Sequence, residues 1–216
     1  MKVALIGGTG FVGGAILNEL LERGHEVTTL VRDPTKLLEK PKLHIVKIDV
    51  SDVAGVAAAV RGNHAVVSAF NAGWSNPNLY KDFMIGSRAI QAGVKRAGVK
   101  RYIVIGGAGS LFDEEGNQLV DSPLFPKQVY EGANAARHYF DELQREADLD
   151  WAFLSPPVGF GPDSPTTRTG KYRVGTHHPL TSNGGVGQIS AADLAVAVVD
   201  ELEFPQHTRA RFTVAY

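Results

Sequence analysis

Apolar residues fall along this chain in two alternating rhythms. Short β-branched runs are each followed by a longer stretch whose apolar positions recur every three or four residues, the pattern of strands feeding amphipathic helices. Val3 to Ile6 reads as a first strand. Phe11 to Arg23 reads as a helix with Phe11, Ala15, Ile16 and Leu20 on one stripe and Gly24 as its stop. Val27 to Val31 is a second strand, Pro34 to Leu38 one short helical turn, and Ile45 to Ile48 a third strand. Ser51 is placed to cap a helix whose core face is Val53, Val56, Ala57 and Val60. A fourth strand spans Ala65 to Phe70, and a helix from about Asn78 to Ala97 buries Phe83, Ile90 and Val94. Arg101 to Ile105 makes a fifth strand.

The stretch from Leu111 to Pro126 is rich in glycine, proline and acid and reads as a surface loop. A helix from about Lys127 to Ala147 carries Ala133, Ala136, Phe140, Leu143 and Ala147 on one face, and Trp151 to Leu154 is a sixth strand. Pro156 to Val186 lacks periodicity, as a lid or a binding loop does. Ser190 with Asp193 opens a last helix ending near Glu203, and Arg211 to Val214 closes the chain as a strand. Repeated βα units of this kind predict an α/β fold, a Rossmann-type doubly wound parallel sheet in a single domain spanning 1–216, with 156–186 facing the substrate.

Composition narrows the partners. The 216 residues are 44% hydrophobic and 21% charged, with a net charge of −1, so there is apolar area enough for one core and no cationic cluster for nucleic acid. Absence of cysteine excludes disulfides, thiolate metal sites and cysteine nucleophiles. No apolar run approaches the roughly 20 residues of a membrane span. The first apolar run, ending at Gly7, is too short for a secretory signal. The expectation is a cytoplasmic protein, monomer or homodimer, acting on a small molecule without nucleic acid or membrane.

The candidate chemistry begins at Gly7-Gly8-Thr9-Gly10-Phe11-Val12-Gly13, between the first strand and the first helix. Glycine there permits a tight turn, close approach of backbone to a pyrophosphate, and close packing of helix on strand; the helix N-terminus then presents N–H groups to the phosphates. An acidic residue at the end of the second strand would bind the ribose 2′-hydroxyl of NAD. Arg32 stands there instead, suited to the 2′-phosphate of NADP, with Asp33 next to it as an alternative ligand for a hydroxyl. NADP(H) is therefore expected in preference to NAD(H). Asp49 and Val50 follow the third strand, where Asp49 would accept from the adenine amino group or cap the next helix. Ala69, Phe70 and Asn71 end the fourth strand, Gly106 and Gly107 the fifth, and Pro156, Pro157 and Val158 the sixth; all should line the crevice at the carboxyl edge of the sheet.

Several of these runs carry a resemblance. Gly7 to Gly13, Leu30-Val31-Arg32-Asp33, Gly106 to Leu111, Leu154-Ser155-Pro156-Pro157, Gly170-Lys171-Tyr172 and the closing Arg211 to Val214 resemble the NAD(P)H-flavin reductase-like group of atypical short-chain dehydrogenase/reductases, which includes NmrA-like proteins and biliverdin-IXβ/flavin reductase. The resemblance covers nearly the whole chain. It implies an NADP-type coenzyme, a parallel sheet covered on both faces, and hydride transfer to a flavin that enters as substrate, or to a similar conjugated acceptor. The chain departs from the short-chain dehydrogenase signature Tyr-x-x-x-Lys, because Tyr130 is followed four positions on by Asn134. It also has Gly107 and Val158 where biliverdin-IXβ reductase has serine and histidine, which speaks against biliverdin as substrate.

A carbonyl reductase needs a positioned proton donor. A flavin or quinone spreads the incoming charge over its rings and can take its proton from water. Ser110 and Tyr130 are the candidates for polarising an acceptor, and Trp74 and Phe160 for stacking on it. His177 and His178, adjacent in a loop without nearby carboxylates, make a poor metal site, as does the solitary helical His138; no metal is expected. Ser155 lacks the surroundings of an acyl-transfer nucleophile. Two functional classes stay open: an NAD(P)H-dependent reductase of a flavin, quinone or related acceptor, and an NADP(H)-binding redox sensor or regulator without turnover, as the NmrA-like relatives suggest.

Overall fold

A computed structural model describes residues 1–182 and 184–216. Asn183, inside the stretch expected to be irregular, lies outside the described residues. The first half follows the expected rhythm: β1 (Lys2–Ile6), α1 (Phe11–Glu22), β2 (Glu26–Val31), β3 (Leu43–Lys47), α2 (Val53–Val60), β4 (Ala65–Ser68), α3 (Leu79–Ala97) and β5 (Arg101–Ile105). The second half adds α4 (Lys127–Leu143), β6 (Asp150–Ser155), three short strands β7 (Arg173–Gly175), β8 (Thr181–Ser182) and β9 (Gly185–Val186), then α5 (Ala191–Glu203) and β10 (Ala210–Ala215).

Among the described residues, eight strands form one sheet in the order β3-β2-β1-β4-β5-β6-β10-β7, and β8 pairs with β9. Every pairing from β3 across to β10 is parallel; β7 alone runs antiparallel, along β10. Alternate residues of each strand face opposite layers. Val3 and Leu5 pack with Ile16 and Leu20 of α1 and Leu194 and Val198 of α5, while Ala4 and Ile6 face Val56, Phe83, Ile90 and Phe140 of α2, α3 and α4. Both faces are covered, so the strands read as nearly continuous apolar runs. Strand order reverses between β1 and β4, which places the ligand crevice of such a sheet above those two carboxyl ends.

The helix ends have local causes. Gly24 and Gly98 both take positive φ (80° and 77°) and stop α1 and α3. The cap of α2 is Asp52, whose Oδ1 accepts from Gly55 N at 3.0 Å, and not Ser51; the expected cap was one residue early. Helix α4 stops at Leu143, short of Ala147, because Glu146 turns inward to accept from Asp148 N at 2.6 Å and from Lys95 at 2.9 Å.

The stretch from Pro156 to Val186 differs most from expectation. Besides its short strands, its middle is tied down by acceptors on α1 and α5. Arg168 donates to Glu19 at 2.9 and 3.1 Å, Thr169 N and Gly170 N donate to Asp193 at 2.8 and 2.7 Å, and Tyr172 Oη donates to Asp200 at 2.6 Å. This is an anchored strap.

Candidate dinucleotide and acceptor site

The glycine run is shaped first by the protein's own packing. Gly7 has φ +85°, and a Cβ on it would lie 2.6 Å from the Ala69 carbonyl oxygen, where the loop crosses the end of β4. A Cβ on Gly8 would meet Thr29 Oγ1 at 2.4 Å, and one on Gly13 would meet the Gly7 carbonyl oxygen at 2.0 Å. Gly10 differs: its φ is an ordinary −83°, and the nearest atom to an added Cβ, Gly7 O, is 3.4 Å away. A side chain there would project into the space in front of the helix.

That space suits an anion. Gly10 is the N-cap of α1, contributes no side-chain cap, and the first turn carries no acidic residue. The N–H groups of Phe11, Val12 and Gly13 therefore lack intrahelical acceptors, and the positive end of the helix dipole has no anion of its own. Gly10 N is turned back to Gly7 O at 2.9 Å, which closes the loop beneath the site. Thr9 is exposed at the tip and Val12 half-buried at its base. The arrangement fits a pyrophosphate, and these are the residues that would hold it.

Beyond the end of β2, Arg32 is exposed and makes no hydrogen bond or ion pair among the described residues. Asp33 is already engaged: its Oδ1 accepts from Thr35 N at 3.1 Å and Thr35 Oγ1 at 2.6 Å, which hold its carboxyl below the usual range. Asp49 Oδ1 likewise accepts from Ser51 N at 2.9 Å and Ser51 Oγ at 2.8 Å. These bonds, with a smaller contribution from the nearby Arg32 charge, hold the Asp49 carboxyl below its usual value. Asp49 thus shapes a turn and does not cap α2. Val50 packs toward Gly86, beside Phe70, which stacks on Phe83 with ring centres 5.9 Å apart. Asn71 Oδ1 accepts from Gly73 N at 2.7 Å. Phe70 and Val50 are wall; Asn71 fixes the turn above it.

On the other side of the crevice, Gly106 is forced by the Phe153 ring, 2.0 Å from where its Cβ would stand. Gly107 is roomier, its Cβ position 3.6 Å from Ala136. Ser110 is buried, with Oγ donating to Gly107 O at 3.2 Å and lying 3.3 Å from Ser155 Oγ, while its carbonyl accepts from the Arg211 guanidinium. Its hydroxyl is occupied within the fold. Tyr130 is partly exposed at the first turn of α4, edge-on to Phe125 at 6.4 Å, and its hydroxyl has no partner among the described residues. No hydrogen bond joins Ser110 to Tyr130.

Pro156 and Pro157 are buried at the end of β6, and the chain surfaces at Val158. Phe160 then lies 5.6 Å from the ring of Phe11, joining this segment to the glycine loop. Trp74 lies instead over Gly132 of α4, on the opposite face of the sheet. The two aromatic candidates for acceptor stacking therefore flank the carboxyl edge from different layers. A cavity of about 220 Å³ opens beside Phe160, bounded by Val158, Asp163, Ser164, Val186 and Ile189.

The two loop histidines are clips. His177 Nδ1 accepts from Arg211 at 2.9 Å, His178 Nδ1 donates to Phe112 O at 3.1 Å, and Phe112 N donates to His177 O at 2.9 Å. Burial, then the Arg211 charge, pushes His177 below the usual imidazole value. His138 bonds to Tyr80 Oη at 2.7 Å, and no cluster that could hold a metal occurs among the described residues. No helix among them is long and apolar enough to cross a membrane. Sequence reasoning missed Glu19, Asp163 and the side-chain role of Asp193. Glu19 carried a signal: it interrupts the buried stripe between Ile16 and Leu20.

Together, the reversed strand order, the glycine turn and the uncapped first helix define a dinucleotide-binding α/β domain. Residues 7–205 match the NAD(P)H-binding family, and the chain belongs to it. It is 38% identical over 216 residues to the Bacillus subtilis protein YwnB, covering 99% of this chain and 98% of that one. Among solved structures, a candidate epimerase from Bacteroides thetaiotaomicron is similar with a TM-score of 0.91 at 42% identity, covering 100% of this chain and 96% of the other. A candidate NADH-flavin reductase from Streptococcus pneumoniae is similar with a TM-score of 0.85 at 34% identity, covering 100% and 99%.

Proposed function

We propose that this protein is an NADPH-dependent reductase of a conjugated acceptor such as a quinone or flavin. The observation that carries the reading is the uncapped, acid-free N-terminus of α1, joined through the Phe11–Phe160 contact to a cavity of mixed apolar and polar lining at the end of β6. Phe11, Val12 and Gly13 bind the pyrophosphate through their N–H groups. Pro156 and Pro157 shape the ring end of the site, and Phe160 and Val158 exclude water from it. When bound, the reduced nicotinamide supplies a hydride, which a quinone or flavin takes up with one proton from water. Such an acceptor requires no protein acid. That matches a site in which the Ser110 hydroxyl is internally bonded and Tyr130 has no lysine four residues on. The S. pneumoniae relative supports the same acceptor class.

The coenzyme preference rests on Arg32. Its guanidinium has no partner among the described residues while Asp33 and Asp49 each have an oxygen committed to a turn, so the ribose end offers a cation to a 2′-phosphate. Arg32→Ala should weaken NADPH binding about 10–100-fold and leave NADH within about twofold, because only the former carries the extra phosphate. Calorimetric titration with both coenzymes checks this, and equal losses would remove Arg32 from that phosphate.

The decisive test is loss of NADPH absorbance with a panel of quinones and free flavins. Turnover is expected. Tight coenzyme binding with no acceptor reduced would favour the second reading, a redox sensor, for which the inward-turned Ser110 also speaks.

A further inference from the structure

The cavity beside Phe160 carries one charge. Val158, Phe160, Val186 and Ile189 line it together with the polar Ser164 and Gln188, and Asp163 is the only ionisable side chain lining it among the described residues. Asp163 is held in place by a turn: Ser164 N donates to Gly161 O at 2.9 Å, and Gly161 N donates to Ser164 Oγ at 3.0 Å. The turn uses no atom of the Asp163 carboxylate, which has no hydrogen bond or ion pair among the described residues. The exposed Asp33 and Asp49 near the carboxyl edge are spent on local structure, accepting from Thr35 and Ser51. Asp163 is exposed, structurally idle, and lines a cavity on which no cationic side chain stands among the described residues.

We propose that Asp163 sets the charge of the acceptor: the site takes an uncharged ring and rejects one bearing a sulfonate, carboxylate or phosphate. The inference deepens the reductase reading and rests on it for the identity of the cavity's occupant. Two physical facts drive it. A carboxylate with no cation beside it on the lining repels a second anion brought within a few ångströms. The volume, about 220 Å³, is also below the ~300–1,000 Å³ of typical ligand pockets, so a ring-borne charge has little room to turn away.

The test is calorimetric binding of naphthoquinone and of naphthoquinone sulfonate to the full chain loaded with NADP+, which allows no turnover. The neutral quinone should bind about tenfold tighter than the sulfonate. Asp163→Asn should cut that gap at least threefold by strengthening the sulfonate; as an exposed loop change it leaves the fold intact, which a thermal melt verifies. Equal affinity for the two rings, or a gap that survives Asp163→Asn, overturns the proposal. NADPH oxidation by the same quinone is scored separately: selective binding without oxidation removes the reductase reading and leaves the charge selection standing, and oxidation of both rings at similar KM does the reverse.

Discussion

Gly13→Ala should weaken NADPH binding by about 100-fold and lower the melting temperature, whereas Gly14→Ala should do neither. The two positions are adjacent on the same helix, and the difference lies in what a methyl group would meet. At Gly13 it would stand 2.0 Å from the Gly7 carbonyl oxygen and 2.7 Å from its carbon, both backbone atoms; at Gly14 the nearest atom is Gly8 O at 3.7 Å. To make room for the methyl group of the Gly13 variant, the start of α1 must move off the end of β1. Overpacking of this kind costs about 1–3 kcal/mol. The same movement carries the N–H groups at the helix opening away from the pyrophosphate, losing charge-assisted bonds of about 1.5–3 kcal/mol each. The Gly14 variant, changed in a helix interior, gains up to about 1 kcal/mol over glycine. Titration calorimetry and thermal melts of the pair provide the check. Undiminished binding by the Gly13 variant would detach the coenzyme from this corner.

Asp193→Asn should destabilise the fold by about 3 kcal/mol, the other large effect expected. Asp193 is fully buried at the start of α5 and accepts from Thr169 N, Thr169 Oγ1, Gly170 N and Tyr216 Oη, at 2.8, 2.7, 2.7 and 2.6 Å. An amide would turn a donor group toward donors and give up the negative charge that makes these bonds strong. Tyr216→Phe, which removes one of the bonds, should cost about 1 kcal/mol. Burial alone would raise the Asp193 carboxyl; the hydrogen bonds outweigh it and hold the group below its ordinary value. As pH falls below about 4, the unfolded chain therefore takes up this proton before the folded chain does. The stabilisation is complete above that pH and is lost on further acidification. Urea unfolding of wild type and Asp193→Asn at neutral and acid pH should show the gap between them narrowing toward low pH. A constant gap would mean that the carboxylate charge is not what anchors the strap.

The sheet and the coenzyme corner were legible because both depend on local pattern. A run such as Val3-Ala4-Leu5-Ile6 is apolar on both faces, and α1 and α3 end at glycines that take positive φ, so strand, helix and stop follow from neighbouring residues alone. Boundaries slipped by one to four residues where a side chain chose between equivalent local acceptors, as at Ser51 and Asp52, or where a polar residue turned inward, as Glu146 does. The stretch from Pro156 to Val186 looked structureless because its order comes from partners far away in sequence. Arg168 is held by Glu19, 149 residues earlier, and β7 is a strand only because β10 lies beside it.

The amino-acid sequence by itself determined the layered α/β class, the order of its elements up to β6 and the glycine turn that prepares an anion site, since each rests on contacts between near neighbours or on backbone freedom. Only the tertiary structure decided which polar side chains face the crevice. It turned the Ser110 hydroxyl inward, spent Asp33 and Asp49 on turns, and left Arg32 and Asp163 without a partner among the described residues, at separate parts of the crevice rim. A side chain's hydrogen-bond partners are fixed by packing between distant segments, and no local pattern encodes them.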